Sequence, residues 1–67
     1  MSPEDRRIIT DRLHNLKIYQ KYFLRMKDSY LAIEDEGIDV EDKLYEIDTY
    51  LYIIGIDISK LTILSGV

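Results

Sequence analysis

The chain has 67 residues and a mass of 8.0 kDa, so it holds one domain at most, in a size range where a single core is only marginally stable. It contains no cysteine and one histidine, which excludes disulfides, thiolate metal sites and an imidazole cluster. Association with a partner chain is the remaining way for so small a domain to complete its core. Hydrophobic residues make up 46% of the chain and its net charge is −4, a composition typical of a folded protein.

The first element is a long helix. Ser2 is a good capping residue, Pro3 suits the first helical position, and Glu4 and Asp5 favour the positive end of the helix dipole. Gly37 can adopt the left-handed conformation that ends a helix. We therefore predict a helix from about residue 3 to 36. Between these ends, apolar residues recur at steps of three and four without Gly or Pro: Ile9, Leu13, Leu16, Tyr19, Phe23, Met26, Tyr30 and Ile33.

A second helix is predicted after a turn at residues 37–39. Asp39 is a candidate cap, and Glu41 and Asp42 lie in the first turn. So short a linker requires two antiparallel helices, and we predict an all-α antiparallel two-helix hairpin as a single domain over residues 1–67, with the second helix at about 40–63. Its heptad-like apolar seam consists of Leu44, Ile47, Leu51, Ile54, Ile58 and Leu61.

A strand over Tyr50 to Ile58 is the alternative for this region. Residues 49–63 are rich in Ile, Tyr and Thr, which favour strands, and Gly55 destabilises a helix by about 1 kcal/mol. One strand in so short a chain needs pairing from another molecule, whereas the helical seam continues through Gly55 without a slip. The helix is therefore favoured.

The apolar surfaces are wider than one hairpin can cover. At 100° per residue, the first helix is apolar over half its circumference, about twice the ~100° stripe that one neighbour requires. Ile53, Ile56, Ile63 and Leu64 lie off the seam of the second helix and are expected to meet water in a lone hairpin. We predict a homodimer that forms a four-helix bundle. The predicted interface comprises Tyr19, Phe23, Met26, Tyr30, Leu44, Ile47, Tyr50, Leu51, Ile53, Ile54, Ile56, Ile58 and Leu61.

Charge is distributed unevenly along the chain. Residues 1–28 carry seven Lys or Arg and four acids, a balance of +3, whereas residues 29–67 carry two and nine, a balance of −7. An acidic cluster from Glu34 to Asp48 surrounds the predicted turn. Our hypothesis is that two hairpins pair head-to-tail, each acidic turn lying near the other's basic first helix, with charge setting orientation more than stability.

Basic residues on the first helix form a candidate nucleic-acid stripe of His14, Lys17, Lys21 and Arg25. A solvated helix face is the favoured interpretation, because the protein is acidic and strong nucleic-acid binders are far more basic. Two further cations, Arg12 and Lys27, fall inside the apolar arc. They either extend to its rim, which is favoured, or pair with acids across an interface.

Six tyrosines are typical of interfaces, where Tyr buries area while keeping a polar tip. The acids near the turn lack the spacing of a calcium-binding loop, and we identify no catalytic set, metal site or cofactor site. The sequence predicts a non-enzymatic, cytoplasmic interaction or regulatory protein that self-associates and binds another protein, with no membrane attachment. A nucleic-acid-associated regulator using the basic stripe is the alternative.

Part of the pattern resembles the first two helices of HEPN-type toxin subunits: Asp5-Arg6-Arg7-Ile8-Ile9, Arg12-Leu13, Leu16 and Tyr19, then Val40-Glu41, Leu44, Ile54 and Ile56-Asp57-Ile58. The resemblance spans most of this chain but about half of such a domain, and it implies an all-α fold that dimerises. RNase activity in that family requires an Arg followed after four to six residues by His. Only Arg7 precedes His14 at that spacing, and it lies in the wrong region, so the resemblance does not extend to activity.

Overall fold

The structure, a computed structural model, describes residues 2–66 and consists of two helices, α1 (Pro3–Asp35) and α2 (Glu41–Ser65). The described residues contain no strand. The all-α, two-helix prediction is therefore confirmed, and the strand alternative for Tyr50 to Ile58 is wrong. Packing overrides the strand propensity of this stretch, because a helix aligns Ile54 and Ile58 with the seam that faces α1.

Both ends of α1 are capped as the sequence predicts. The Ser2 hydroxyl oxygen accepts a hydrogen bond from the Asp5 N–H at 3.1 Å, and Pro3 occupies the first helical position. At the other end, Gly37 has a φ of +92°. This conformation lets the Gly37 N–H donate to the Glu34 carbonyl at 2.9 Å and the Ile38 N–H to the Ile33 carbonyl at 3.4 Å, the bonding of a Schellman cap.

The start of α2 differs slightly from the expectation. Its first backbone bond joins the Leu44 N–H to the Val40 carbonyl at 3.0 Å, so the helix begins at Glu41. Val40 is the residue at the cap position, and Asp39 acts from one residue earlier, its Oδ1 accepting from the Glu41 N–H at 3.1 Å. The helix continues two residues beyond the predicted end, to Ser65.

The two helices run antiparallel. Lys27 Nζ on α1 lies 2.7 Å from Asp48 Oδ1 on α2, and the Phe23 ring stacks on the Tyr50 ring with centroids 5.3 Å apart. Residue numbers therefore fall on α1 as they rise on α2. The hairpin predicted from the short linker is confirmed, as a rod whose Cα atoms extend over 53 × 14 × 13 Å.

The core between the helices is very small. Among residues 2–66 only Ile47 and Ile54 are buried, with 4% and 8% of their surface exposed. The accessible surface is 5453 Å², whereas a compact protein of this mass exposes about 4,450 Å². The hairpin thus exposes about 1,000 Å² more than a self-sufficient domain of its size.

Candidate functional site

Five large apolar side chains in the C-terminal part of α2 project away from α1 into solvent, and the exposed Tyr45 lies on the same side of the helix two turns earlier. They lie within an arc of roughly 120° at 100° per residue, on the side of the helix opposite Ile47 and Ile54. Their exposed fractions run from 37% for Ile56 to 71% for Tyr52. We name this surface the α2 face, and it consists of Tyr52, Ile53, Ile56, Ile63 and Leu64.

Gly55 forms a notch beside the α2 face. One open groove, lined by α2 alone, includes Gly55, Ile56, Ser59 and Ile63. A second groove, between the helices, brings Gly55 and Ile58 next to residues of α1. A Cβ atom placed on Gly55 would meet nothing within 4 Å. Packing inside the hairpin therefore does not require a glycine here, although glycine weakens the helix.

A second exposed surface is aromatic. The Phe23 ring is half-buried, stacks on Tyr50, and meets the edge of Tyr22 at a centroid distance of 5.6 Å and an interplanar angle of 73°. Tyr22 and Tyr50 are both exposed. Tyr19, also exposed, lines a separate groove on α1 with Ile8 and other α1 residues. The rings present rigid apolar area with hydroxyl groups at its rim, which suits a protein contact.

Most of the predicted interface residues are used inside the hairpin. Ile47 and Ile54 are buried in it, and Phe23, Met26, Tyr30, Leu44, Leu51, Ile58 and Leu61 are half-buried. The members that remain exposed are Tyr19, Tyr50, Ile53 and Ile56.

Three residues of the α2 face, Tyr52, Ile63 and Leu64, were not in the predicted interface. The spacing of the chain could have identified part of the α2 face. Ile56 follows Tyr52 by four residues and Ile63 follows Ile56 by seven, and positions at these spacings share one side of a helix. The expectation that Ile53, Ile56, Ile63 and Leu64 meet water in the hairpin is confirmed.

The four residues of the basic stripe are all exposed, but they do not share one groove. His14, Lys17 and Lys21 line the groove between the helices, and Arg25 lines another with Tyr22. No salt bridge within residues 2–66 involves any of the four. The stripe is therefore a row of solvated cations, three of which border Gly55.

The two cations of the apolar arc behave differently. Arg12 is exposed and forms no salt bridge to any residue that the structure describes. Lys27 is half-buried, and its ammonium reaches the partly exposed Asp48 of the same chain, so it extends to the rim of the apolar arc and pairs there with an acid of α2. The antiparallel register brings the two residues together, which the sequence of either helix alone does not indicate.

Within residues 2–66, no three His, Cys, Asp or Glu side chains lie close enough together to hold a metal ion. Neither helix in this range is long and apolar enough to cross a membrane.

Comparison with known protein families, curated proteins and solved structures found no match for this chain. The resemblance to HEPN-type toxin subunits therefore stays a prediction, and the function has to be argued from the surface itself.

Proposed function

We propose that this chain is a non-enzymatic interaction protein, which self-associates through the α2 face into a dimer of four helices and binds another protein. One observation carries the proposal: five large apolar side chains on one side of α2 remain between 37% and 71% exposed within the described hairpin, with Lys60 between Ile56 and Ile63. Monomeric soluble proteins rarely expose contiguous apolar patches of this kind unless the patch is a binding surface.

The area supports a partner of ordinary size. The hairpin exposes about 1,000 Å² more than a compact protein of its mass, and a standard interface buries about 800 Å² on each partner. One contact of standard size therefore removes most of the excess. A second copy is the simplest partner, because the same face then supplies both sides of the interface.

The outward surface of α1 contrasts with the α2 face. Leu24, about half exposed, has one exposed apolar residue on its side of α1, Leu31, seven positions away. Its neighbours three and four positions away, which flank a residue on a helix surface, are all polar. They are Gln20, Lys21, Lys27 and Asp28. Single apolar residues in a polar surface are normal, so self-association is assigned to α2.

Sedimentation equilibrium tests the self-association, with helix content measured by circular dichroism on the same sample. We expect a dimer that remains helical at micromolar concentration. A helical monomer at high concentration would remove the proposal, because the α2 face would then be stable in water.

Binding of another protein is assigned to the exposed tyrosines of α1, Tyr19 and Tyr22. Tyr is enriched at interfaces, and both residues line grooves formed by α1 alone. The variant Tyr19→Ser/Tyr22→Ser is expected to remain dimeric and to lose any partner that the native dimer retains on an affinity column. Equal retention by the native and variant dimers would refute this assignment.

The second candidate function is nucleic-acid binding by the basic stripe, favoured by the way His14, Lys17 and Lys21 border one groove. Titration with duplex DNA and with RNA separates the two functions, because phosphate contacts weaken steeply as salt rises. Binding that persists at physiological salt favours this second function. No binding at about 50 mM salt excludes it.

A further inference from the structure

One groove between the two helices carries charge of a single sign. We name it the basic groove, and its lining residues are His14, Lys17, Ile18, Gln20 and Lys21 on α1 with Gly55, Ile58 and Ser59 on α2. No Asp or Glu among the described residues lines it, and no salt bridge within residues 2–66 involves its lysines or its histidine. In a chain of net charge −4, the basic groove is a local excess of positive charge that the hairpin leaves uncompensated.

The basic side chains form a helical stripe along one wall of the groove. Lys17 follows His14 by three residues and Lys21 follows Lys17 by four, so the stripe extends about 10 Å along α1, or two helical turns. Acidic side chains at the same steps on another helix lie on one side of that helix. A helix that lies along the basic groove can therefore place three carboxylates beside three basic groups.

The α2 wall of the groove is uncharged and has room for a neighbour. A Cβ atom built on Gly55 meets nothing within 4 Å, and a glycine lets another backbone approach closely. Ile58 is half-buried, so part of its apolar side chain stays open to a ligand. Such a combination suits an amphipathic helix, which lays apolar contacts into a groove while its charged side chains reach the rim.

These features favour a protein helix over a nucleic acid as the ligand. A strong nucleic-acid surface is broadly basic, whereas the basic groups here occupy one wall of one groove and the chain as a whole is acidic. A short acidic helix carries far fewer charges than a nucleic acid, so the acids elsewhere on the hairpin repel it less.

We infer that the basic groove binds an acidic amphipathic helix of a partner protein, whose carboxylates pair with His14, Lys17 and Lys21 and whose backbone lies against Gly55. This inference rests on the proposed binding of another protein, and it names the chemical class of that partner. The contact is separate from the one assigned to Tyr19 and Tyr22, because neither tyrosine lines the basic groove.

A matched pair of synthetic helical peptides tests the charge of the ligand. One peptide carries Glu at three positions spaced by three and four residues, with Ala elsewhere on that side, and the other carries Lys at the same three positions. Fluorescence anisotropy at physiological salt is expected to show the Glu peptide binding about tenfold more tightly, because three exposed ion pairs each contribute modestly. The net charge of −4 alone would favour the Lys peptide, so a preference for Glu reports the groove. Equal binding of the two peptides, or no binding of the Glu peptide at millimolar concentration, overturns the inference.

Charge reversal locates the binding of the Glu peptide on the chain. Lys17→Glu/Lys21→Glu is expected to reverse the preference between the two peptides. The matched control Arg7→Glu/Arg25→Glu changes the net charge equally at residues outside the basic groove and is expected to retain the preference for Glu. Loss of that preference in the control as well as in the lysine variant overturns the location.

Filling the groove separates a docked helix from a nucleic acid. Gly55→Leu changes no charge and replaces a residue that weakens helices, so helix content is expected to stay the same or rise. The Glu peptide is expected to bind this variant about tenfold more weakly, because the added side chain occupies the space of the incoming backbone. Native affinity of the variant for the Glu peptide overturns the inference. Duplex DNA or single-stranded RNA that binds the native chain more tightly than the Glu peptide does, and binds Gly55→Leu equally well, also overturns it in favour of nucleic acid.

Sedimentation equilibrium of the same chains distinguishes the levels of failure. A native dimer that Lys17→Glu/Lys21→Glu dissociates would identify a second copy as the occupant of the basic groove and overturn the inference. A native dimer without a preference for the Glu peptide removes this inference alone. A native monomer that shows the preference removes the proposed self-association and leaves the acidic helix as the ligand.

Discussion

The α2 face provides the most demanding prediction, through the double variant Ile56→Gln/Ile63→Gln. These side chains are 37% and 70% exposed, so together they present roughly one whole isoleucine side chain, worth about 1.5–3 kcal/mol on burial. A symmetric dimer contains the pair twice, which makes about 3–6 kcal/mol. That loss raises the dimer dissociation constant by a factor of about 10² to 10⁴.

The same substitutions leave the hairpin itself nearly unchanged. Surface substitutions usually alter stability by no more than about 0.5 kcal/mol, and Gln is a good helix former. Sedimentation equilibrium measures the dissociation constant, and circular dichroism confirms the helix content of the dissociated chain. The matched control is Leu24→Gln, which replaces a similarly exposed residue in a polar part of α1 and is expected to dimerise like the native chain. A double variant with native affinity would refute the assignment of self-association to the α2 face.

Three further predictions concern the hairpin. Ile47→Ala leaves a cavity at the most buried position. It is expected to reduce the free energy of unfolding, measured by urea titration, by about 2–5 kcal/mol. A loss under 1 kcal/mol would contradict the packing of Ile47 between the helices. A double-mutant cycle of Lys27→Met and Asp48→Ala is expected to give a coupling energy of about 0.2–1 kcal/mol, because both side chains are partly exposed. This coupling energy should fall as salt rises. A coupling energy of zero at low salt would show that the ion pair does not stabilise the hairpin. Gly37→Ala forces a Cβ onto a left-handed residue and is expected to reduce the free energy of unfolding by about 1–2 kcal/mol, and an unchanged unfolding midpoint would contradict that turn geometry.

The local features of the fold could be predicted from the sequence because each depends on residues close together in the chain. Ser2 and Gly37 bracket α1 with a hydroxyl cap and a left-handed turn, and both act through hydrogen bonds that span only a few residues. The spacing of three and four residues from Leu44 to Leu61 depends only on the helical repeat. It correctly outweighed the strand preference around Tyr50.

The candidate surface was only partly predictable. The seam pattern shows which residues are apolar and share one side of α2, but it does not show which of them the same chain covers. On α1, Tyr19 and Phe23 belong to the same predicted apolar series, yet Tyr19 stays exposed whereas Phe23 is half-buried and stacks on Tyr50.

The sequence by itself determined the two helices, their caps and the antiparallel return, since periodicity and turn chemistry act over short distances along the chain. Only the tertiary structure decided that Lys27 meets Asp48, that Gly55 borders an empty notch, and that most of the predicted interface residues are used inside the hairpin. These features depend on the rotation and register of one helix against the other. Because α2 has apolar residues on several sides, its sequence does not show which side faces α1. The packing of Ile47 and Ile54 against α1 fixes that rotation.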